Sequence, residues 1–134
     1  MSRPIKFRAW YSNNGVKDEM VYLPDLNLGW MAVNGLLSLE VSSGKYFHHE
    51  KDWWKNLSPL MQFTGLLDKK GKEIYEGDIV SYGPGRNFSV EYAVKYGCWY
   101  VVPCGDYENN APLGKSEKAC EVIGNIYQNP ELLR

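Results

Sequence analysis

Short strand-forming segments separated by turn residues dominate the chain from Leu60 onward. FSVEYAVKY, for example, places Val90, Tyr92 and Val94 on one side of an extended segment and the intervening residues on the other. LMQFTGLL, KEIYEGDIVSY, GCWYVVP and CEVIGNIY also predict strands or extended structure, with turn-forming DKKG and GPGRN between them and a tight turn at Gly97 before the third. A period of two residues indicates β-strands, and five or so short strands spaced by turns indicate a small antiparallel barrel or a strongly bent sheet.

Two pieces of this half lack a strand pattern. CGDYENNAPLGKSEK, residues 104–118, is rich in Gly, Asn and Pro and predicts a long irregular loop. NPELL, with Asn129 before a proline, predicts a short terminal turn.

The N-terminal half carries weaker β signals. IKFRAW alternates, and EMVYL returns after the turn-forming SNNG, which predicts a hairpin. LNLGWMAVNGLLSLEV is broken by Gly29 and Gly35 and predicts one or two short strands, whereas residues 53–57 predict a helical turn stopped by Pro59. We therefore expect a mainly β domain over residues 1–134, with an N-terminal β lobe (1–58) and a C-terminal small barrel (60–134).

Charge and composition limit the location and partners. The 134 residues include 15 Lys or Arg and 16 Asp or Glu, so the net charge of −1 does not favour phosphate backbones. No apolar run approaches the roughly 20 residues of a membrane span. MSRPIKFRAW has no apolar segment typical of a secretory signal. Three cysteines without a CxxC pair suit a reducing compartment, so we expect a protein of the bacterial cytoplasm.

The histidines are the best candidate metal ligands. His48 and His49 adjoin Glu50 and Asp52, and on a helix His48 and Asp52 would share a face. On a strand the two histidines would point to opposite faces, and two ligands do not make a zinc site. We therefore expect no metal or other cofactor.

A catalytic thiol is also weakly supported. Cys98, Cys104 and Cys120 have no local signature that joins one of them to a histidine. Cys98 and Cys120 lie in or beside predicted strands, where cysteine is commonly a small buried residue.

The segment MQFTGLLDKKGKEIYEGDIV contains a tempting set of charges. In principle its carboxylates could form an acid–base pair. Asp68, however, stands at the first position of a turn, where its side chain can accept backbone N–H bonds, and Gly71 suits a left-handed conformation. Glu73 and Glu76 flank Ile74 and Tyr75 in an extended segment, so we expect them at exposed positions. We therefore predict a scaffolding role for the set, which comprises Asp68, Lys69, Lys70, Lys72, Glu73, Glu76 and Asp78.

Aromatic residues exceed what one small core can easily bury. The chain has ten Tyr and five Trp, and such residues could stack nucleic-acid bases or anchor a protein interface. The first seventeen residues contain four basic and no acidic residues, which indicates either a solvated strand face or a small patch for an anionic partner. The candidate interaction surface comprises Arg3, Lys6, Arg8, Trp10, Trp30, Trp53 and Trp54.

Three blocks of the sequence resemble the YopX family of bacteriophage and prophage proteins. They are IKFRAW, LMQFTGLLDKKGKEIYEGDIV and EVIGNIYQNPELL. The last two are similar to the family patterns QFTGLKDKNGKEIYEGDIV and EVIGNIYENPELL, and they depart from them at Leu67 and Lys70, for example. The resemblance implies an SH3-like or related bent-sheet barrel in the C-terminal half and a phage accessory protein, and it supplies no catalytic residues.

These observations favour a non-enzymatic protein that acts through contacts with itself or with a phage or host protein. The alternative is a nucleic-acid-binding β-barrel module, which the basic N-terminal strand and the aromatic residues would suit. No feature indicates a small-molecule substrate.

Overall fold

A computed structural model describes residues 4–12, 18–22, 58–103, 109–115 and 117–133. The chain divides into two compact units, residues 5–62 and residues 63–134 together with 1–4. The division falls inside one strand. The predicted N-terminal β lobe (1–58) and C-terminal small barrel (60–134) stay a prediction.

Within residues 5–62, a hairpin forms where the alternation predicts one. Strands β1 (Phe7–Ser12) and β2 (Asp18–Tyr22) pair antiparallel, with Trp10 opposite Met20. The turn between them and the segments predicted over residues 24–43 and 53–57 lie outside the described residues. On the edge of β1 that does not face β2, the Ser58 N–H donates a hydrogen bond to the Trp10 carbonyl at 2.8 Å.

Strand β3 (Met61–Leu67) begins in this unit and continues into the next. Residues 61 and 62 pair with β1, and later residues pair with the short strand β4 (Glu73–Tyr75). The register shifts along β3, where Gly65 has a φ of 87°. A bulge of this kind bends a strand, and only glycine adopts that φ without strain.

Within residues 63–134, five strands form an antiparallel sheet in the order β8-β7-β6-β5-β9. They are β5 (Asp78–Ser81), β6 (Asn87–Ala93), β7 (Cys98–Pro103), β8 (Ala111–Pro112) and β9 (Glu121–Asn125). Strands β5 to β7 follow one another through tight turns, as the sequence predicts. The C-terminal strand β9 crosses back to pair with β5.

The core of this unit is built from five strands and from two residues outside them. Buried residues from β4, β5, β6, β7 and β9 pack together with Leu113 and Cys120, and Phe88 and Trp99 pack at the margin. The core residues are Ile74, Val80, Val90, Val101, Leu113, Cys120 and Val122. The strands predicted at β6 and β9 are confirmed, but their burial does not alternate. Along β6 Val90 is buried whereas Tyr92 is exposed, and along β9 the buried residues are Val122 and Asn125.

The loop predicted over residues 104–118 is wrong in its second half. Strand β8 is followed by two 3₁₀ helices, Leu113–Lys115 and Glu117–Ala119, and Leu113 is completely buried. A single apolar residue between Pro and Gly gives no periodic signal, so only long-range packing reveals it. The terminal turn is confirmed as a 3₁₀ helix over Pro130–Leu133.

The described residues confirm the mainly β fold with a bent sheet. The more specific SH3-like barrel stays a prediction.

Candidate functional site

The buried carboxylate of Asp68 links the turn after β3 to the C-terminal strand β9. Asp68 is 5% exposed. Its Oδ1 accepts hydrogen bonds from the N–H groups of Lys70 and Lys72, and its Oδ2 accepts one from Val122, each at 2.9 Å. Burial alone raises the pKa of Asp68, but the bonds from Val122, Lys72 and Lys70 outweigh it and hold the pKa below its ordinary value of 3.8. Asp68 therefore closes its own turn, as predicted, and also fastens β9.

The same turn reaches β9 through two lysines. The Lys69 N–H donates to the Cys120 carbonyl at 3.0 Å, and Lys70 Nζ lies 2.7 Å from Glu121 Oε1. The hydrogen bond to Glu121 raises the pKa of Lys70 and lowers the pKa of Glu121. Both side chains keep solvent contact, and exposed pairs of this kind contribute little stability. These charges position the turn against the strand.

The bend between β4 and β5 is also held by hydrogen bonds within the scaffold. Asp78 is buried, and its Oδ2 accepts a bond from the Tyr75 N–H at 2.8 Å. Gly77 has a φ of 84°, donates to the Val90 carbonyl at 2.9 Å and accepts from the Ile126 N–H at 2.9 Å. The bend thus connects β6 to the segment after β9.

The C-terminal block ends its strand with an asparagine. Asn125 is buried, and its Oδ1 accepts hydrogen bonds from the N–H groups of Tyr127 at 3.0 Å and Gln128 at 2.8 Å. An Asn side chain that accepts hydrogen bonds from the backbone N–H groups just after it stabilises a turn locally. The middle and end blocks are therefore bound to each other and to the core.

Outside these blocks, the β6–β7 hairpin carries two aromatic pairs. Tyr92 and Trp99 are cross-strand partners with ring centroids 5.0 Å apart and an edge-to-face angle of 72°. Tyr96 and Tyr100 stack with centroids 5.1 Å apart and planes within 8°. Trp99 packs at the core margin and Tyr100 is buried, so each pair joins an inner ring to an outer one.

The outer rings lie beside a strongly exposed turn. Val94 is 86% exposed, Tyr96 is 56% exposed and Tyr92 is 47% exposed. The N–H groups of Tyr96 and Gly97 close the turn by donating to the Ala93 carbonyl at 3.0 and 2.8 Å. Lys95 Nζ lies 5.3 Å from the centroid of the Tyr96 ring. We call Tyr92, Val94, Lys95 and Tyr96 the hairpin tip.

The inner rings limit the freedom of the tip. Burial raises the pKa of Tyr100, and Cys98 and Tyr96 add to the effect, so its hydroxyl stays protonated at neutral pH. The neutral, buried Tyr100 ring therefore restricts the movement of the stacked Tyr96 ring. Exposed rings that are already oriented lose less conformational entropy when they meet a partner.

Three residues of the interaction surface predicted from sequence lie among the described residues. Arg8 is 4% exposed, with Nη2 3.9 Å from Met61 Sδ, so the interpretation as a solvated strand face is wrong for Arg8. Lys6 and Trp10 are half-buried. The other four lie outside the described residues: Arg3, Trp30, Trp53 and Trp54. Partner binding by this set stays a prediction.

Most residues considered for metal or thiol chemistry also lie outside the described residues, namely His48, His49, Glu50, Asp52 and Cys104. Cys120 is buried, as predicted, and Cys98 is half-buried. Glu73 and Glu76, predicted among exposed positions, are half-buried. The part of the chain that the structure describes contains no group of three or more His, Cys, Asp or Glu placed to hold a metal ion. Nor does any helix in that part have the length and apolarity needed to cross a membrane.

Tyr92 and Tyr96 belong to the surplus of aromatic residues in the sequence, but the surface predicted from sequence does not include them. The turn at Gly97 was a usable signal, because a tight hairpin turn between Ala93 and Cys98 makes Tyr92 and Trp99 neighbours.

Comparisons with known proteins agree with the fold. A family model described as YopX protein matches residues 6–134. The crystal structure of protein EF1440 from Enterococcus faecalis is similar, with a TM-score of 0.61 and 26% sequence identity over 99% of this chain and 100% of that chain. No curated protein matches this chain.

Proposed function

The chain belongs to the YopX family, and we propose that it is a phage- or prophage-encoded accessory protein that acts without catalysis in the bacterial cytoplasm. In this proposal it works through protein–protein contact, with a second copy of itself or with a phage or host protein. The hairpin tip is the contact surface.

One observation carries the proposal: the tip holds exposed aromatic and aliphatic side chains on an ordered turn. Tyrosine is enriched at protein interfaces because it combines a large apolar area with a polar hydroxyl and few rotatable bonds. Val94 is almost fully exposed, although it has no polar atom in its side chain. Burial of this surface by a partner would be favourable.

The scaffolding role of the middle and end blocks supports the same choice. Asp68, Asp78 and Asn125 use their side-chain oxygens on backbone N–H groups, and Lys70 pairs with Glu121. These contacts give the side chains of the middle and end blocks a role in the stability of the fold. The hairpin tip lies outside these blocks and needs another explanation.

Nucleic-acid binding is the alternative function. The stacked Tyr96 and Tyr100 rings beside Lys95 resemble the combination of aromatic rings and a cation that binds single strands. Stacking, however, needs an accessible ring face. Tyr96 faces Tyr100 on one side and has Lys95 over its ring, and Val94 cannot stack on a base. We therefore favour a protein partner.

Site-specific photo-cross-linking tests the proposal. A benzophenone amino acid replaces Val94, and in a second variant it replaces Arg86, which is exposed in the turn between β5 and β6. Both proteins are irradiated in bacterial cells that carry the parent phage genome, and cross-linked chains are identified by mass spectrometry.

We expect one abundant protein adduct from position 94 and none from position 86. An adduct with a second copy of the chain would identify self-association, and sedimentation velocity of the purified protein would measure it. The absence of a protein adduct specific to position 94 would contradict the proposal, and an adduct with nucleic acid would support the alternative.

A further inference from the structure

The charge of the hairpin tip is positive and comes from Lys95. From Tyr92 to Pro103, Lys95 is the only charged residue in the sequence. Its Nζ lies over the Tyr96 ring, and in the described part of the chain no acidic side chain forms an ion pair with it. Glu91, the nearest acid along the hairpin, accepts a hydrogen bond from the Ser89 hydroxyl at 3.3 Å.

Apolar surface lies on both sides of this cation in the sequence. Val94 precedes it and Tyr96 follows it, and both are mostly exposed. A contact between Lys95 and an aromatic ring is weak at an exposed site, so the ammonium group keeps most of its capacity for another partner. The Lys95 stem can also cover apolar area while its charge remains at the edge.

We infer that the hairpin tip binds an acidic, apolar segment of another protein, in which aliphatic or aromatic side chains cover Tyr92, Val94 and Tyr96 while a carboxylate pairs with Lys95. This inference rests on the proposed function and specifies the chemistry of its partner. Complementary charge at the edge of an apolar contact orients the partner and excludes basic segments, whose cation would face Lys95.

Selection from displayed random peptides tests the charge directly. The full-length protein is the bait in three forms: wild type, Lys95→Glu and Lys118→Glu. Lys118 is an exposed lysine in the 3₁₀ helix over Glu117–Ala119 and provides a matched charge reversal away from the tip. Thermal unfolding checks that the variants are folded, which we expect because both lysines are exposed.

Peptides selected by the wild type should combine Asp or Glu with aliphatic or aromatic residues. The Lys118→Glu protein should select the same class, whereas Lys95→Glu should lose the acidic preference and select Lys or Arg. For one synthetic wild-type peptide, Lys95→Glu should raise the Kd about tenfold, since an attractive charge contact becomes a repulsive one. The part of the affinity that comes from the Lys95 charge should fall as the salt concentration rises, because salt screens the charge.

Several results would overturn the inference. Peptides without acidic residues, an unchanged preference in Lys95→Glu, or no tip-dependent peptide at all would each do so. If apolar peptides are selected and Val94→Asp abolishes their binding, the tip is still a protein contact and only its charge preference is wrong. Tighter binding of single-stranded oligodeoxythymidylate than of any selected peptide, lost in Lys95→Glu, would assign the tip to nucleic acid and contradict the proposed function as well.

Discussion

Replacement of Asp68 by asparagine should destabilise the sheet by removing a buried connection between β3 and β9. The carboxylate offers two oxygens to three N–H donors, from Lys70, Lys72 and Val122. Asn has one carbonyl oxygen and one NH₂ group. If that oxygen keeps the two turn donors, the NH₂ group faces the Val122 N–H, and a buried donor loses its acceptor.

The size of the effect follows from the surroundings of each donor. A buried backbone donor without its acceptor costs about 1–3 kcal/mol. The two turn donors keep an acceptor but lose its charge, and bonds to a charged group are roughly twice as strong as neutral ones. Together these effects give a loss of about 2–4 kcal/mol, a large part of the roughly 5–15 kcal/mol that stabilises a typical domain.

Urea unfolding followed by circular dichroism provides the measurement. With a denaturant slope of about 2 kcal/mol per molar, the midpoint of Asp68→Asn should fall by roughly 1–2 M at pH 7. Glu131→Gln is the control, because it removes an exposed carboxylate that holds no turn. Hydrogen exchange at the Val122 amide should accelerate in Asp68→Asn and not in the control.

The difference in the free energy of unfolding between wild type and Asp68→Asn should also depend on pH. Because the folded pKa of Asp68 lies below its ordinary value of 3.8, the ionised carboxylate contributes its full stability above that value. The contribution is lost as the pH falls through the folded pKa. The gap between wild type and Asp68→Asn should therefore narrow in acid. A midpoint equal to that of Glu131→Gln at pH 7, or a gap of constant size down to acid pH, would refute this reasoning.

Two other substitutions test the packing of the same unit. In Gly124→Ala the new Cβ would lie 2.8 Å from Asn129 Cγ, so we expect a loss of about 1–3 kcal/mol in urea unfolding, whereas Gly114→Ala, which has open space, should be neutral. Thr64→Val should cost about 1–3 kcal/mol because the buried Ile74 carbonyl loses the hydroxyl donor at 2.7 Å; Thr64→Ser should retain most of the stability, and equal midpoints for the two variants would contradict this explanation.

Local patterns predicted most described strands because their causes are local. Alternation identified β1 and β6, apolar segments between turn signals indicated β3 and β9, and turn chemistry identified the reversal from Asp68 to Gly71, where Gly71 has a φ of 82°. Gly97, with a φ of 65°, marked the turn of the aromatic hairpin. In each case a few neighbouring residues determine the backbone conformation.

Long-range contacts explain what the sequence did not reveal. Asp68 was predicted to close a turn, but its bond to Val122 spans 54 residues and depends on where β9 returns to the sheet. Leu113 is buried because non-adjacent strands surround it. Arg8 alternates like an exposed strand residue, yet it is buried.

The candidate site was only partly predictable for a related reason. The sequence showed a surplus of aromatic residues but favoured the WMAVNG…HHEKDWW region and the loop after Cys104 as functional segments, and the hairpin tip lies in neither. Which rings are inner and which are outer depends on the packing of Trp99 and Tyr100. Composition cannot separate these two groups.

The most direct test of the central claim is the affinity of Val94→Asp for the protein cross-linked at position 94. Aspartate suits a turn and Val94 is 86% exposed, so the unfolding midpoint should match that of the wild type. Isothermal titration calorimetry should show at least about a tenfold rise in Kd, because a charge would be buried against apolar surface. If the affinity is unchanged while the protein is folded, the hairpin tip is not the contact surface.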